Sequence, residues 1–170
     1  MKLKKRKAVI SIAAGNSQKP LIIKAKSLGY YVVAIDIDPK AVGLKFADYH
    51  VFASTYEPKE IIKKLKIIID EFDWVGIINR SAGPPVITTS ILSYFLKIPG
   101  VPINSAKKIV NKDELRIICK QKNIPIGNFK IFSISDKINW DDFNLPVVIK
   151  PALSIVGKKG VTVLKEMNQI

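Results

Sequence analysis

The chain carries one cysteine and one histidine in 170 residues, Cys119 and His50. A lone thiol excludes an intramolecular disulfide and suits a reducing compartment; its setting in LRIICKQ reads as buried packing and not as a nucleophile. A zinc cluster lacks ligands, and a Ser–His–Asp triad would have to be built on His50 alone. Acidic residues are also scarce, 14 against 28 Lys+Arg, which leaves a formal charge of +14. The excess is spread along the chain and is densest in KLKKRK (Lys2–Lys7). Such a surface attracts anions: nucleic acid, acidic lipid or phosphorylated small molecules. A nucleic-acid reader would need a recognised module or lysines interleaved with aromatics, and the sequence has neither. Many lysines instead face outward on amphipathic patterns such as EIIKKLKIIIDEF (Glu60–Phe72), so nucleic acid is disfavoured as a partner. No segment reaches the roughly 18 apolar residues of a membrane span. The apolar stretch AVISIAA after the basic start is short for a signal peptide and reads as a first strand. A cytoplasmic protein with no membrane partner is expected.

What is present is alternation. The apolar run at 8–14 reads as a strand covered on both faces, and 31–36, 49–54 and 73–79 read as the second, third and fourth strands. Helical spacing fills the intervals QKPLIIKAKSLGY, Pro58–Phe72 and VITTSILSYFL, with Gly29 as a C-cap. Repeated β-then-α order builds a doubly wound parallel sheet. After about Gly100 the pattern changes. PGVPINSAKK is a connector, SAKKIVNKDELRIICKQKN is helical with Asn111 or Asp113 as a cap, IPIGNFKIFSI reads as a strand, and LPVVIK and GVTVLK are two further strands. The expected division is 1–104, an α/β domain, and 105–170, the start of an α+β unit.

In a parallel sheet the carboxyl ends of the strands share one edge, and ligands bind outside it. That edge collects Gly15-Asn16-Ser17, Asp36 and Asp38, Ser54-Thr55, and Asn79-Arg80-Ser81. Gly15 permits close approach to backbone N–H groups at a helix start, and Arg80 offers a bidentate cation. All of these are also what strand-end turns ordinarily carry. Asp36 stands where a dinucleotide-binding fold places its ribose-binding acid, but SIAAGNSQK lacks G-x-G-x-x-G. Lys150 ends an apolar strand, and PALSIVGKKG follows it with Ser154, Gly157, Lys158, Lys159 and Gly160. This composition suits a glycine-rich cover over phosphates, without Walker A spacing; a hairpin turn with surface lysines is the plainer alternative. Lys112 and Arg116 lie four apart on one helical face.

Taken in order, PGVPINSAKKIVNKDELRIICKQKNIPIGNFKIFS and LPVVIKPALSIVGKKGVTVL resemble the ATP-grasp superfamily, in the arrangement of biotin carboxylase and the carbamoyl-phosphate synthetase large chain. The resemblance implies a Rossmann-like pre-ATP-grasp domain at 1–104 and the beginning of the nucleotide-binding domain at 105–170. It implies that Lys112 and Lys150 contact ATP phosphates, that Gly157 to Gly160 form the mobile loop over them, and that Gly15, Asn16, Asp36, Arg80 and Ser81 face the substrate side. The implied activity is ATP-dependent phosphorylation of a small carboxylated metabolite to an acyl phosphate, which an amine or other nucleophile then attacks. ATP and Mg²⁺ are the implied cofactors. No residue here is assigned to metal, because the family's metal-binding and adenine-holding segments come later in its order than Ile170. The chain alone is therefore expected to be inactive, with a homodimer or a companion chain as partner. A non-catalytic α/β module that binds a small anion or a partner protein is the alternative.

Overall fold

The structure is a computed structural model, and it describes residues 5–153 and 160–166. The chain divides into two compact units, Met1–Ala106 and Lys107–Ile170. In the first unit the strands β1 (Arg6–Ile12), β2 (Tyr31–Asp36), β3 (Tyr49–Phe52) and β4 (Phe72–Asn79) form one sheet in the order β3-β2-β1-β4. Every pairing is parallel. This is the parallel α/β sheet that the alternation predicts.

Side chains alternate across β1, and the alternation builds both layers. Ala8, Ile10 and Ile12 enter one core with Val33, Ile35 and Val51; Ile61 and Leu65 of α2 (Pro58–Leu65) and Leu92 of α3 (Pro84–Phe95) cover it. Val9 joins Val32 and Ala34 on the other face, under Ile22 and Ala25 of α1 (Lys19–Ser27) and Leu44 of the short 3₁₀ turn Leu44–Phe46. The path β1–β2–β3 crosses the sheet one way beneath α1, and α2 carries the chain back to β4 on the opposite face. Crossovers of one hand require that exchange of faces.

The cap at Gly29 forms as predicted: Gly29 takes φ 85°, its N–H donates to the Lys26 carbonyl at 2.9 Å and the Tyr30 N–H to the Ala25 carbonyl at 3.2 Å. That is a Schellman closure, satisfying carbonyls the helix leaves open. α2 stops at Leu65, short of the predicted Phe72. Ile69–Glu71 is a 3₁₀ turn instead, held by the Trp74 indole N–H on the Ile69 carbonyl at 2.9 Å, and Phe72 already belongs to β4. His50 uses its Nε2–H on the Leu44 carbonyl at 2.8 Å, a structural role.

Asp48 ties α1 to β2. Its carboxylate is ion-paired with Lys26 and accepts the Val32 N–H at 2.8 Å. Partial burial opposes its ionisation, but the Lys26 and Val32 hydrogen bonds and the charges of Lys26 and Arg6 outweigh that, and its pKa lies below the ordinary 3.8. A carboxylate depressed in the folded state contributes stability that is present above the unfolded pKa and lost as pH falls through the folded one. Acid titration of the folded fraction should therefore show a loss below about pH 4 that Asp48→Asn removes; identical acid limbs for the two proteins would show the pair to be inert.

In the second unit α4 (Ile103–Val110), which spans the division in sequence, and α5 (Lys112–Gln121) replace the single predicted helix. Asn111 breaks it with extended backbone, φ −89° and ψ 112°. Asn111 stands at the N-cap position without capping through its side chain; its amide donates to Glu114 Oε1 at 3.0 Å. The strand expected at 124–134 is absent. That segment, entered through Pro125 and Gly127, has no neighbouring strand among the described residues to ladder with, and Arg116 holds it to α5 through Nη1–H on the Gly127 carbonyl at 3.4 Å. β5 (Val147–Ile149) and β6 (Thr162–Leu164) pair antiparallel with each other. Cys119 is half-buried on α5, not in a core. Among the described residues no helix is long and apolar enough to cross a membrane.

Candidate functional site

The carboxyl edge of the first unit brings the predicted residues together. β1 ends at Ile12, and Ala13 turns with φ 69°, a left-handed value that costs a residue bearing Cβ. The Ser11 hydroxyl donates to the Ala13 carbonyl at 2.8 Å. The next residue is held on both sides: the Ala14 N–H donates to Asp36 Oδ2 at 2.8 Å and the Ala14 carbonyl accepts the Gly43 N–H at 2.6 Å. Asp36 Oδ1 accepts the Asp38 N–H at 3.0 Å. Both carboxylate oxygens of Asp36 therefore engage backbone, and the residue that a dinucleotide fold would spend on ribose here fixes a loop.

Gly15 begins the turn that leads into α1, and its carbonyl accepts the N–H groups of Gln18 and Lys19 at 3.1 and 3.0 Å. Gln18 is 6% exposed. Its side-chain amide donates to the Arg80 carbonyl at 3.1 Å and to Ser81 Oγ at 3.3 Å, while the Arg80 guanidinium donates to the Ser17 carbonyl at 3.3 Å. Two loops on adjacent strands, β1 and β4, are thus cross-linked side chain to main chain in both directions. Asn79 anchors the second loop, donating to the Pro85 carbonyl and to Thr89 Oγ1 at 3.2 and 2.7 Å and accepting the Ser81 N–H at 2.7 Å. Asn16 is exposed, as is Arg80. Asp38 and Ser54 act within their own turns, on the Lys40 and Tyr56 N–H groups.

Sequence reading missed Gln18. A glutamine at a helix start reads as solvated; the departure from G-x-G-x-x-G at its position, where a small residue would stand, was the available signal.

In the second unit Lys112 opens α5, and both its backbone N–H and its Nζ donate to the Ala152 carbonyl, at 2.9 and 3.4 Å. The helix start is thereby fixed to the segment that follows Lys150. Lys150, next after β5, is exposed. Gly160 has φ 76°, and a Cβ on it would lie 2.9 Å from Pro151 Cγ, so a side chain there would meet both backbone strain and a ring. Ser154, Gly157, Lys158 and Lys159 lie outside the described residues. Among the described residues no group of three or more His, Cys, Asp or Glu is placed to hold a metal ion.

No protein-family model matches the chain. A formate-dependent phosphoribosylglycinamide formyltransferase of Prochlorococcus marinus subsp. pastoris is 27% identical over 161 residues, 89% of this chain and 39% of the relative. Among solved structures, N5-carboxyaminoimidazole ribonucleotide synthetase from Thermotoga maritima superposes with a TM-score of 0.66 at 21% identity, over 96% of this chain and 42% of that one. The N5-carboxyaminoimidazole synthetase from Staphylococcus aureus complexed with ADP gives 0.70 at 17% identity, over 98% and 43%. The fold is that of the amino-terminal part of ATP-grasp ligases. The sequence relatives and the fold together make the chain similar to the amino-terminal part of ATP-grasp ligases. The chain spans about two fifths of the length of the curated relatives it matches.

Proposed function

We propose that this chain is the amino-terminal portion of an ATP-dependent carboxylate ligase, in which Lys112 and Lys150 hold the ATP phosphates. The reaction class is phosphorylation of a small carboxylated metabolite to an acyl phosphate, which an amine or other nucleophile attacks. Ser154, Gly157, Lys158, Lys159 and Gly160 are proposed to close over the same phosphates. The observation that carries the reading is the double hydrogen bond of Lys112 to Ala152, which ties the helix start to the strand end bearing Lys150. A lysine so held at the helix start, with the exposed Lys150 two positions before Ala152, suits a polyphosphate and would offset charge developing on a transferred phosphoryl group. The ADP complex of a structural neighbour supports an adenine nucleotide as the ligand. On the substrate side, Arg80 with the Gly15 loop is proposed to face the carboxylate.

ATP titrated into the full chain should bind, and Lys150→Ala should weaken that binding at least about tenfold, the loss of one charge-assisted contact. Lys130→Ala serves as a control, since Lys130 is committed to Asp142 at 2.8 Å. Equal affinities for Lys150→Ala and Lys130→Ala would overturn the assignment.

A further inference from the structure

Charge is distributed unevenly over the helices that cover the sheet. α1 carries three lysines, and α2 three lysines and a glutamate, as outward helix faces ordinarily do. α3, PPVITTSILSYF, carries no charged residue. In a chain that is one quarter charged, Lys97 is the one charged residue from 81 to 106. The outer side of α3 is nevertheless open. Tyr94 is 79% exposed, the most of any aromatic residue among those described, and Val101 is 48% exposed. Both line a groove of about 480 Å³, together with Ser93, Ile98, Pro102 and Asn104, and no charged residue lines it. Lys97 lines a different cavity, with Phe72 and Trp74. Ser93 is 4% exposed, and its hydroxyl has no hydrogen-bond partner among the described residues.

We propose that a second copy of this chain docks on this face, with the Tyr94 ring of each copy in the groove of the other. Two observations choose that occupant. The first is charge. A partner of another kind would gain by bringing acidic groups to the lysines of a chain that carries +14, since opposite charges steer and fix a contact. Two copies of the chain repel instead. The surface through which they meet must therefore be the one cleared of charge, as the centres of interfaces are. The second observation is shape. A two-fold axis sets the same patch on both sides of a contact, and an exposed ring beside a groove is complementary to itself. Tyrosine suits that place, because it buries a large apolar ring and keeps a hydroxyl at its tip. The Ser93 hydroxyl, unpartnered within the described chain, is a group in that groove free to accept from it.

The proposal does not rest on the ATP reading: α3 belongs to the first unit, Lys112 and Lys150 to the second, and either reading can fail alone. The test is sedimentation equilibrium of the full chain. At about 100 µM, a concentration that populates micromolar dimers, the wild-type protein should return twice the 18.9 kDa of one chain. Raising the salt from about 50 to about 500 mM should strengthen the dimer, because screening relieves the repulsion between two basic chains. Tyr94→Ala, which removes the ring, and Tyr94→Lys, which sets a like charge on each side of the axis, should each weaken association at least about tenfold. Val101→Lys should do the same from a second residue of the groove, should either tyrosine variant fail to fold. Ile67→Lys is the control, since Ile67 is 74% exposed and lies outside this face; it should associate as the wild type does. A wild-type monomer at this concentration would overturn the proposal. So would a dimer that salt weakens, because ion pairs would then make the contact, and so would folded Tyr94→Lys and Val101→Lys proteins that associate no more weakly than Ile67→Lys.

Discussion

Gly43→Ala should destabilise the first unit by about 3 kcal/mol, read as the free energy of exchange of the slowest β1 and β2 amides. Gly43 has an ordinary backbone conformation, so the requirement is spatial. A Cβ there would stand 2.5 Å from the Ala14 carbonyl oxygen and 3.0 Å from Ile22 Cδ1. Ile22 can change rotamer. The carbonyl cannot yield, because it accepts the Gly43 N–H at 2.6 Å and its own N–H is bound to Asp36. The added methyl must therefore break that hydrogen bond or move the turn that carries Gly15. Gly15→Ala is the matched comparison: its Cβ would meet only Gln18 Oε1 at 3.5 Å, an ordinary contact, and its effect should be small. Equal costs for the two alanines would mean that the Ala14–Gly43 approach is not a constraint.

Asp36→Ala should cost nearly as much, about 3 kcal/mol, by a different route. Ala14 is fully buried, and its N–H would be left without a partner, a loss of about 1–3 kcal/mol, on top of forfeiting an ionic acceptor. The Asp38 N–H is exposed and can turn to water, so its share is smaller. Asp36→Asn keeps one carbonyl oxygen but turns an N–H₂ toward a backbone N–H, and should fall about midway. Large chemical-shift changes at Ala14 to Ser17 should accompany both substitutions, since the carboxylate sets the start of that loop. A stable Asp36→Ala protein would instead return Asp36 to the role of a ligand-binding acid, because such a group can be removed without loss of fold.

The parallel sheet was legible because its cause is local and repeated. A strand buried on both faces must be apolar throughout, as in RKAVISI and YVVAID, and a helix that covers it must be apolar on one stripe. The Gly29 cap was legible for a similar reason, since few other residues take φ 85° without strain. Where two readings shared one pattern, sequence misled. Ile67 to Phe72 continue the helical spacing of α2, but Trp74 claims the Ile69 carbonyl for a turn. IPIGNFKIFSI has strand composition without a strand's neighbour, and Arg116 keeps it beside α5.

At the carboxyl edge, composition named Gly15, Asp36 and Arg80 as a set, because parallel topology alone puts strand ends side by side. It could not say which of their groups are spent on the protein itself. That Asp36 gives both oxygens to backbone, that Gln18 lies buried over Gly15, and that Lys112 meets Ala152 forty positions on are facts of distance. A polar side chain reads the same in sequence whether water or a distant carbonyl is its partner, and only the packed structure decides between them, through burial and through contacts that chain order does not contain.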